Sequence, residues 1–177
     1  MALFKVNTGC REQEVCGLRW DWEIDVPELN TSVFLIPAER VKNGEERLVV
    51  LNSVVRSIVE GQRGQHPEYV FTYCGERQKK MNNSAWRKAR ARAGLPQVRV
   101  HDLKHTFGRR LRAAGVSFED RQDLLGHKSG RITSHYSAAE LSSLIDAANQ
   151  VVGQGSRKSP ALVMLKKKAA NALAVTT

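Results

Sequence analysis

Two histidines and a lysine lie close together in the segment HDLKHTFG, residues 101–108. His101 and His105 have the i, i+4 spacing that puts two side chains on one face of a helix, where they can share a zinc ion. A zinc site needs further ligands, however, and the ammonium group of Lys104 repels a cation. A phosphate group is attracted by that same lysine. The segment therefore favours an anion as its ligand, and we predict no metal site.

Chemistry on a phosphodiester without a metal requires cations around the phosphate, a nucleophile and a proton donor for the leaving oxygen. Candidates for these parts occur in other segments: Arg11 at the start of a predicted helix, Lys42 in a predicted turn, His127 and Tyr136. A tyrosine hydroxyl has an ordinary pKa of about 10 and is a poor nucleophile. Tyr136 would therefore need a cationic setting in order to react.

Each of these residues also has an ordinary structural explanation. Arg11 can form a salt bridge within its own helix, Lys42 can be an exposed turn charge, and Tyr136 can be a half-buried anchor beside a helix cap. His105 has no predicted catalytic role, and we expect it to pack or to donate a supporting hydrogen bond. The residues taken singly leave these alternatives open.

The positive charge of the chain is concentrated in one segment. The sequence has 28 basic and 18 acidic residues, a net charge of +10. Residues 76–112 contain twelve basic residues against Glu76 and Asp102, so this segment accounts for the whole excess. A field focused in this way is typical of nucleic-acid-binding proteins, although a merely solvated basic face is the alternative. The side chains that we expect to contact the nucleic acid are Arg87, Lys88, Arg90, Arg92 and Arg99.

Length and composition exclude several classes of protein. The 177 residues, 41% of them hydrophobic, suit one compact domain with a tail. No run of about 18 apolar residues is present, so we predict no membrane span. The three cysteines are odd in number and lack a CxxC spacing, which predicts reduced thiols in a cytoplasmic protein.

The pattern of the chain predicts an α+β domain, mainly α-helical, with a small antiparallel β-sheet. Strands are expected at 20–26, 32–36 and 47–51, with Asn43–Gly44 as a two-residue hairpin turn just after Lys42. Helices are expected at the N-terminus through Val6, after Thr8–Gly9, from Asn82 or Asn83 to Ala93, over 101–114, from Ser117 to Gly126 and after Ser137. We place the domain at 1–152, followed by a basic tail at 153–177.

Four segments together resemble the catalytic domain of the tyrosine recombinases, the phage integrase family. The segments are TGCREQEVCGLRW (8–20), VKNGEER (41–47), HDLKHTFGRRLRAAG (101–115) and LLGHKSGRITSHYS (124–137). They occur in the order and spacing of the family and cover nearly all of residues 1–150. A single such motif would carry little weight, whereas four in order are specific.

The resemblance implies a role for each matching residue. Arg11 matches the first conserved arginine, which binds the scissile phosphate, and Lys42 matches the lysine that protonates the departing 5′ oxygen. His101 matches the histidine that positions or accepts a proton, and His127 matches a later residue that contacts the phosphate. Tyr136 matches the nucleophile, which would form a 3′-phosphotyrosyl link. This covalent link conserves the bond energy, so neither ATP nor a metal cofactor is implied.

Lys104 departs from the family, which usually has a second arginine at this position. Arginine can bind two phosphate oxygens with its planar fork, whereas lysine is a compact point charge. Loss of a donor to the transition state can cost roughly 2.7–4 kcal/mol, and retention of the charge should soften that loss. We therefore expect the catalytic site to be active, or weakened in activity, with Lys104 in place of the arginine.

The resemblance also implies partners. We expect double-stranded DNA as the substrate, homotetramers on DNA, and a role for the tail in docking onto a neighbouring protomer. Members of the family usually have a separate N-terminal DNA-clamping domain, which we expect this chain to lack, so the isolated domain is expected to be monomeric and to bind DNA weakly. The function that the resemblance implies is that of a site-specific DNA recombinase, or integrase, which cuts and rejoins DNA strands through Tyr136.

Three other functions are possible rivals. They are a DNA-binding domain of this fold that has lost catalysis, a strand-swivelling topoisomerase and a metal-dependent nuclease.

Overall fold

The main sheet has three antiparallel strands, with the second strand in the centre. A computed structural model describes residues 1–127 and 136–152, in which the strands are β1 (Glu23–Val26), β2 (Thr31–Ile36) and β3 (Arg47–Val50). Glu23 of β1 lies opposite Phe34 of β2, and Ile36 of β2 lies opposite Arg47 of β3. The predicted small antiparallel sheet is confirmed, although Trp20–Trp22 form a 3-10 turn rather than the start of β1.

The predicted two-residue hairpin at Asn43–Gly44 is wrong. Because Ile36 pairs with Arg47, residues 37–46 all belong to the connection between β2 and β3. Pro37 follows β2 and lacks the N–H group that would continue the ladder. Gly44 has a φ of 73° and donates its N–H to the Val41 carbonyl at 3.0 Å. The Asn-Gly pair therefore does make a turn, but inside a longer connection that carries Lys42.

A second, two-stranded sheet was not predicted. It pairs β4 (Thr72–Tyr73) with β5 (Glu76–Arg77). Cys74 and Gly75 form its turn, and both have positive φ angles, of 51° and 77°. Positive φ at both central residues is the geometry that matches the twist of two paired strands.

Seven helices are formed within the described residues. They are α1 (Ala2–Thr8), α2 (Glu12–Cys16), α3 (Ser53–Glu60), α4 (Ser84–Arg92), α5 (Asp102–Ala113), α6 (Phe118–Leu125) and α7 (Ala138–Asn149). The predicted caps are confirmed: Asn83 and Ser117 each accept a backbone hydrogen bond at 3.0 Å, and Ser137 forms a reciprocal capping box with Glu140. Helix α3, which Asn52 caps, was not predicted. The α+β class, with helices in the majority, is confirmed.

The sheet lies between two apolar clusters. Phe34 and Ile36 on one face pack with α1, α2 and α3, for example against Phe4. Val33 on the opposite face packs with α5, α6 and α7, for example against Phe107. This alternation follows from the period of two in a β-strand. The two layers place the ends of α1 and α6 close to the start of β3, where the candidate site lies.

Two predicted features fall outside the described residues: part of the LLGHKSGRITSHYS segment, at 128–135, and the tail at 153–177. The boundary at 152 remains a prediction. No helix in the described ranges is long and apolar enough to cross a membrane.

Candidate active site

Arg11 is positioned by the turn between α1 and α2. Gly9 makes this turn with a φ of 64°, and a Cβ atom there would lie 2.9 Å from both Leu125 and Phe107 side-chain atoms. The backbone N–H of Arg11 donates to Glu14 at 2.6 Å, and its guanidinium donates to the same carboxylate at 3.0 Å. The salt bridge that the sequence allowed as an alternative role for Arg11 is therefore present. The Arg11 side chain is still 26% exposed.

Glu14 is a buried carboxylate shared by two arginines. Its second oxygen lies 3.4 Å from Nη1 of Arg47, which is also buried. Burial alone would raise the pKa of Glu14, but the Arg47 charge and the Arg11 hydrogen bonds together hold it below its ordinary value. One negative charge thus faces two positive ones, which leaves the surroundings of Arg11 positive.

Lys104 projects from α5 into the protein rather than into solvent. Its residue is 6% exposed, and Nζ donates a hydrogen bond to the Leu125 carbonyl at the end of α6. Burial lowers the pKa of Lys104 to about 7, and the positive charges of Arg47 and Arg11 act in the same direction. Lys104 is therefore close to the Arg11 region and close to losing its proton at neutral pH.

His127 follows directly from the end of α6. Gly126 ends the helix with a φ of 59°, and the His127 N–H donates to the Gln122 carbonyl at 3.0 Å. Loss of solvent lowers the pKa of His127, and the charges of Lys104, Arg11 and Arg47 lower it further. Cations from three separate segments thus act on His127.

Tyr136 and His127 line one small cavity. The cavity has a volume of about 20 Å³, and Asn43 and Arg47 also contribute to its wall. Tyr136 is half-buried, and its ring packs against the α5–α7 apolar cluster just before the Ser137 cap. The structure therefore brings the predicted nucleophile and His127 together.

Lys42 is not brought to this cavity. It is exposed in the connection between β2 and β3, and its neighbour Asn43 lines the wall instead. Within the described parts of the chain, no hydrogen bond or ion pair is formed by the Lys42 side chain.

His101 and His105 form a ring pair at the start of α5. Their centroids are 4.7 Å apart and their planes are nearly perpendicular. Loss of solvent lowers the pKa of His101, and the charges of His105, Lys5 and Lys104 add to this effect. No group of three potential metal ligands occurs in residues 1–127 and 136–152. His101 thus lies near Lys104. The two histidines have no third metal ligand beside them among the described residues.

Three buried polar residues were missed by the sequence reasoning as site components. Glu14 and Arg47 are described above, and Lys5 in α1 is fully buried and donates to the Cys10 carbonyl, next to Arg11. The spacing of Glu14, three residues after Arg11, was the available signal. For Arg47, the signal was a charged residue at the start of the otherwise apolar strand RLVV.

The predicted DNA contacts divide into two groups. Arg87, Lys88 and Arg92 on α4 are exposed. Arg90 donates to the Val98 carbonyl at 2.8 Å, and Arg99 binds Asp102 at 2.9 Å. The last two residues therefore have local partners that hold the chain between α4 and α5.

Comparison with known proteins identifies relatives over most of the chain. The model of the phage integrase family matches residues 1–142. The integrase of Salmonella phage P22 is 30% identical over 161 residues, which cover 84% of this chain and 41% of the relative. A tyrosine recombinase of Pseudothermotoga lettingae is 29% identical, with 83% of this chain and 51% of the relative covered. The tyrosine recombinase XerD of Bifidobacterium longum is also 29% identical, over 81% of this chain and 50% of the relative.

A solved structure, that of the Tn1549 transposon integrase with circular intermediate DNA, shares 19% identity over 80% of this chain and 55% of that one. The TM-score between the two structures is 0.49. The chain spans about half or less of the length of the curated relatives named above. Because the family model matches about four-fifths of the chain, this protein belongs to the phage integrase family.

Proposed function

We propose that this chain is the catalytic domain of a site-specific DNA recombinase that cleaves and rejoins DNA strands through Tyr136. The observation that carries the proposal is the convergence on His127 of charges from Arg11 and Lys104, with Tyr136 on the wall of the same cavity. Membership of the phage integrase family supports it.

In the proposed reaction the Tyr136 oxygen attacks the scissile phosphorus, and the bond from phosphorus to the 5′ oxygen breaks. The tyrosine proton passes to a base, for which His101 is the candidate. The leaving oxygen takes a proton and becomes a 5′ hydroxyl. The new phosphotyrosyl bond keeps the energy of the phosphodiester, so attack by a 5′ hydroxyl from another strand reverses the step. No metal or nucleotide cofactor is required.

Arg11, Lys104 and His127 would stabilise the extra negative charge on the phosphate oxygens in the transition state. Lys42 is the proposed proton donor to the leaving oxygen. Because it lies outside the cavity, bound DNA would have to draw the connection 37–46 toward the phosphate. Loop closure of this kind is common on substrate binding.

A second candidate is a DNA-binding domain of this fold in which catalysis is weak or lost. One observation favours it: Nζ of Lys104 is buried and bound to the Leu125 carbonyl, where the family usually has an arginine fork. In this state the lysine offers the phosphate less than an exposed arginine would.

The proposal extends to assembly and location. Exchange of strands between two duplexes requires paired protomers on each, so we propose homotetramers on double-stranded DNA and a monomer without it. The tail at 153–177 is the proposed docking segment. The proposed site of action is DNA in the bacterial cytoplasm.

A covalent trap tests the catalytic proposal directly. Nicked duplexes with a randomised central sequence lose a short strand after cleavage, so the protein stays attached and captured targets can be sequenced. We expect denaturant-resistant protein–DNA adducts with the unsubstituted chain and none with Tyr136→Phe. Tyr73→Phe, at a tyrosine that is 72% exposed on the small hairpin, should behave as the unsubstituted chain.

Other outcomes would support the rivals. Salt-sensitive complexes without adducts would indicate a binding domain. Relaxation of supercoiled DNA of any sequence by a monomer would indicate a topoisomerase. Cleavage that a chelator abolishes, without an adduct, would indicate a metal-dependent nuclease.

A further inference from the structure

Arg47 is a buried arginine that contacts three separate parts of the chain. Its residue is 2% exposed. Nη1 donates to the Leu125 carbonyl at 2.8 Å, while Nη2 donates to the carbonyls of Thr8 at 3.1 Å and Leu124 at 3.3 Å. With the ion pair to Glu14 at 3.4 Å, the guanidinium joins α1, α2 and α6 to strand β3.

Each partner of Arg47 leads to a residue of the candidate site. Thr8 ends α1 just before the Gly9 turn, and Glu14 holds both the backbone and the guanidinium of Arg11. Leu124 and Leu125 are the last residues of α6, directly before Gly126 and His127. One guanidinium is therefore bonded to the supports of Arg11 on one side and of His127 on the other.

The fit around Arg47 is close. The last carbonyls of a helix lack partners within it and carry partial negative charge, so a guanidinium binds them well. A Cβ atom on Gly126 would lie 2.5 Å from Nη1 of Arg47, so no larger residue fits at that point without a shift. The planar fork of arginine presents its donors from separate nitrogen atoms in a fixed geometry, whereas lysine presents all its donors from one nitrogen.

Stability alone is a weak explanation for this residue. Burying a charge costs free energy, and apolar side chains of similar volume often stabilise a protein as well as a buried ion pair does. In addition, Nε of Arg47 is buried without a hydrogen-bond partner among the described atoms. What the buried guanidinium does provide is a defined geometry at the ends of α1 and α6.

We propose that Arg47 is a positioning residue, which sets Arg11 and His127 at a fixed separation for the phosphate between them. This inference rests on the proposed function. Arg47 contributes to the wall of the cavity, but its residue is 2% exposed and its guanidinium is bonded to helix-end carbonyls and to Glu14. We therefore assign it no contact with the substrate. A displacement of about 1 Å in a catalytic group can cost about a hundredfold in rate, so loss of this link should slow the reaction without preventing DNA binding.

The test compares Arg47→Gln and Arg47→Lys with a matched control, Asn52→Ala. Asn52 is fully buried and donates to the Ala148 carbonyl at 3.1 Å near the end of α7, and its side chain accepts from the Val55 N–H at 3.0 Å. Neither of these hydrogen-bond partners is a candidate site residue. The free energy of unfolding in urea and the affinity for duplex DNA are measured for all three. The rate of adduct formation on the nicked duplex is measured with protein in excess, at a temperature where every variant is folded.

We expect Arg47→Gln to slow adduct formation by more than about tenfold, with DNA affinity little changed, and Arg47→Lys to fall in between. Asn52→Ala should stay within about twofold of the unsubstituted rate despite a similar loss of stability. Equal slowing by the control, or an unchanged rate in the folded Arg47 variants, would overturn the inference. If Arg47→Gln does not fold, the decision rests on Arg47→Lys.

A second readout does not depend on catalysis. The charge of Arg47 helps to lower the pKa of His127 but is not among the causes for His101. In a titration followed by NMR, Arg47→Gln should raise the pKa of His127 and leave that of His101 in place, and Asn52→Ala should move neither. If the unsubstituted chain formed no adduct, the proposed function would fail, and an unchanged His127 pKa would separately overturn the role of Arg47.

Discussion

At the scale of single residues, Lys104 differs most from what its type suggests. A surface lysine remains charged through the physiological range, whereas burial beside Arg47 and Arg11 lowers the pKa of Lys104 to about 7. An arginine in the same place would stay protonated at any working pH. The substitution of lysine for arginine thus makes the charge of the candidate site depend on pH.

The rate of cleavage should reveal this dependence. Bound phosphate raises the pKa of a nearby lysine, so we expect the charge of Lys104, and with it the rate, to fall as the pH rises through the alkaline range above 7. Lys104→Arg should flatten this decline, because the guanidinium keeps its proton. Lys104→Ala should be slower at every pH.

The measurement is the pH profile of adduct formation for the three proteins under single-turnover conditions. Tyr136 and Lys42 are the same in all of them, so a difference between the profiles belongs to Lys104. Equal rates in all three proteins at every pH would exclude Lys104 from the site.

At the scale of elements, the basic helix α4 combines two kinds of basic side chain. Arg87, Lys88 and Arg92 are exposed and suited to contact phosphates, whereas Arg90 is bound to the Val98 carbonyl. Glu12 of α2 accepts hydrogen bonds from the backbone of Met81 at 2.5 Å and Asn82 at 3.1 Å, just before the helix begins. The helix that directly follows Arg11 thereby also fixes the start of α4.

Single alanine substitutions on α4 should separate binding from structure. Arg87→Ala, Lys88→Ala and Arg92→Ala should each reduce the salt dependence of duplex binding by about one counterion per lost phosphate contact. Arg90→Ala should mainly lower the free energy of unfolding. Binding is measured by fluorescence anisotropy over a range of salt concentrations, and Arg56→Ala on α3 provides a charge-matched control. Unchanged slopes in the first three variants would remove α4 from the DNA interface.

At the scale of the whole molecule, several basic groups are buried, whereas a single carboxylate is buried among the described residues. Lys5, Arg47 and Lys104 are nearly inaccessible, and Glu14 is their buried acidic partner. Burial lowers the pKa values of both lysines. The unfolded chain therefore binds more protons than the folded chain in the range between the folded and the ordinary lysine pKa values.

Stability should consequently rise with pH. The free energy of unfolding should increase between about pH 7 and about pH 9. Each unit by which the pKa of a group differs between the folded and the unfolded chain corresponds to about 1.4 kcal/mol. The range ends near 9 because the raised pKa of the Cys16 thiol, about 11, has the opposite effect above it. Lys104→Met should flatten the rise, and Lys88→Met at an exposed position should preserve it. Urea unfolding across this pH range provides the measurement, and an unchanged slope in Lys104→Met would contradict the expectation.

Helix ends were largely predictable from the sequence because their signals are local. Asn83, Ser117 and Ser137 bond to backbone atoms three residues away, and a linear pattern contains both partners. The hairpin was mispredicted because the length of the connection depends on which residues pair across β2 and β3. Helix α3 has the same kind of local signal, because Asn52 accepts a hydrogen bond from the Val55 N–H three residues later, but it was not predicted.

The sequence by itself determined the family and the identity of the candidate residues, because the four motifs carry residue types in a set order. Only the tertiary structure decided how those residues are held. Arg47 reaches carbonyls 39 and 78 residues away, and Lys104 is bonded to Leu125 rather than directed toward solvent. Such contacts depend on how α1, α6 and β3 pack together, and spacing along the chain contains no record of that packing.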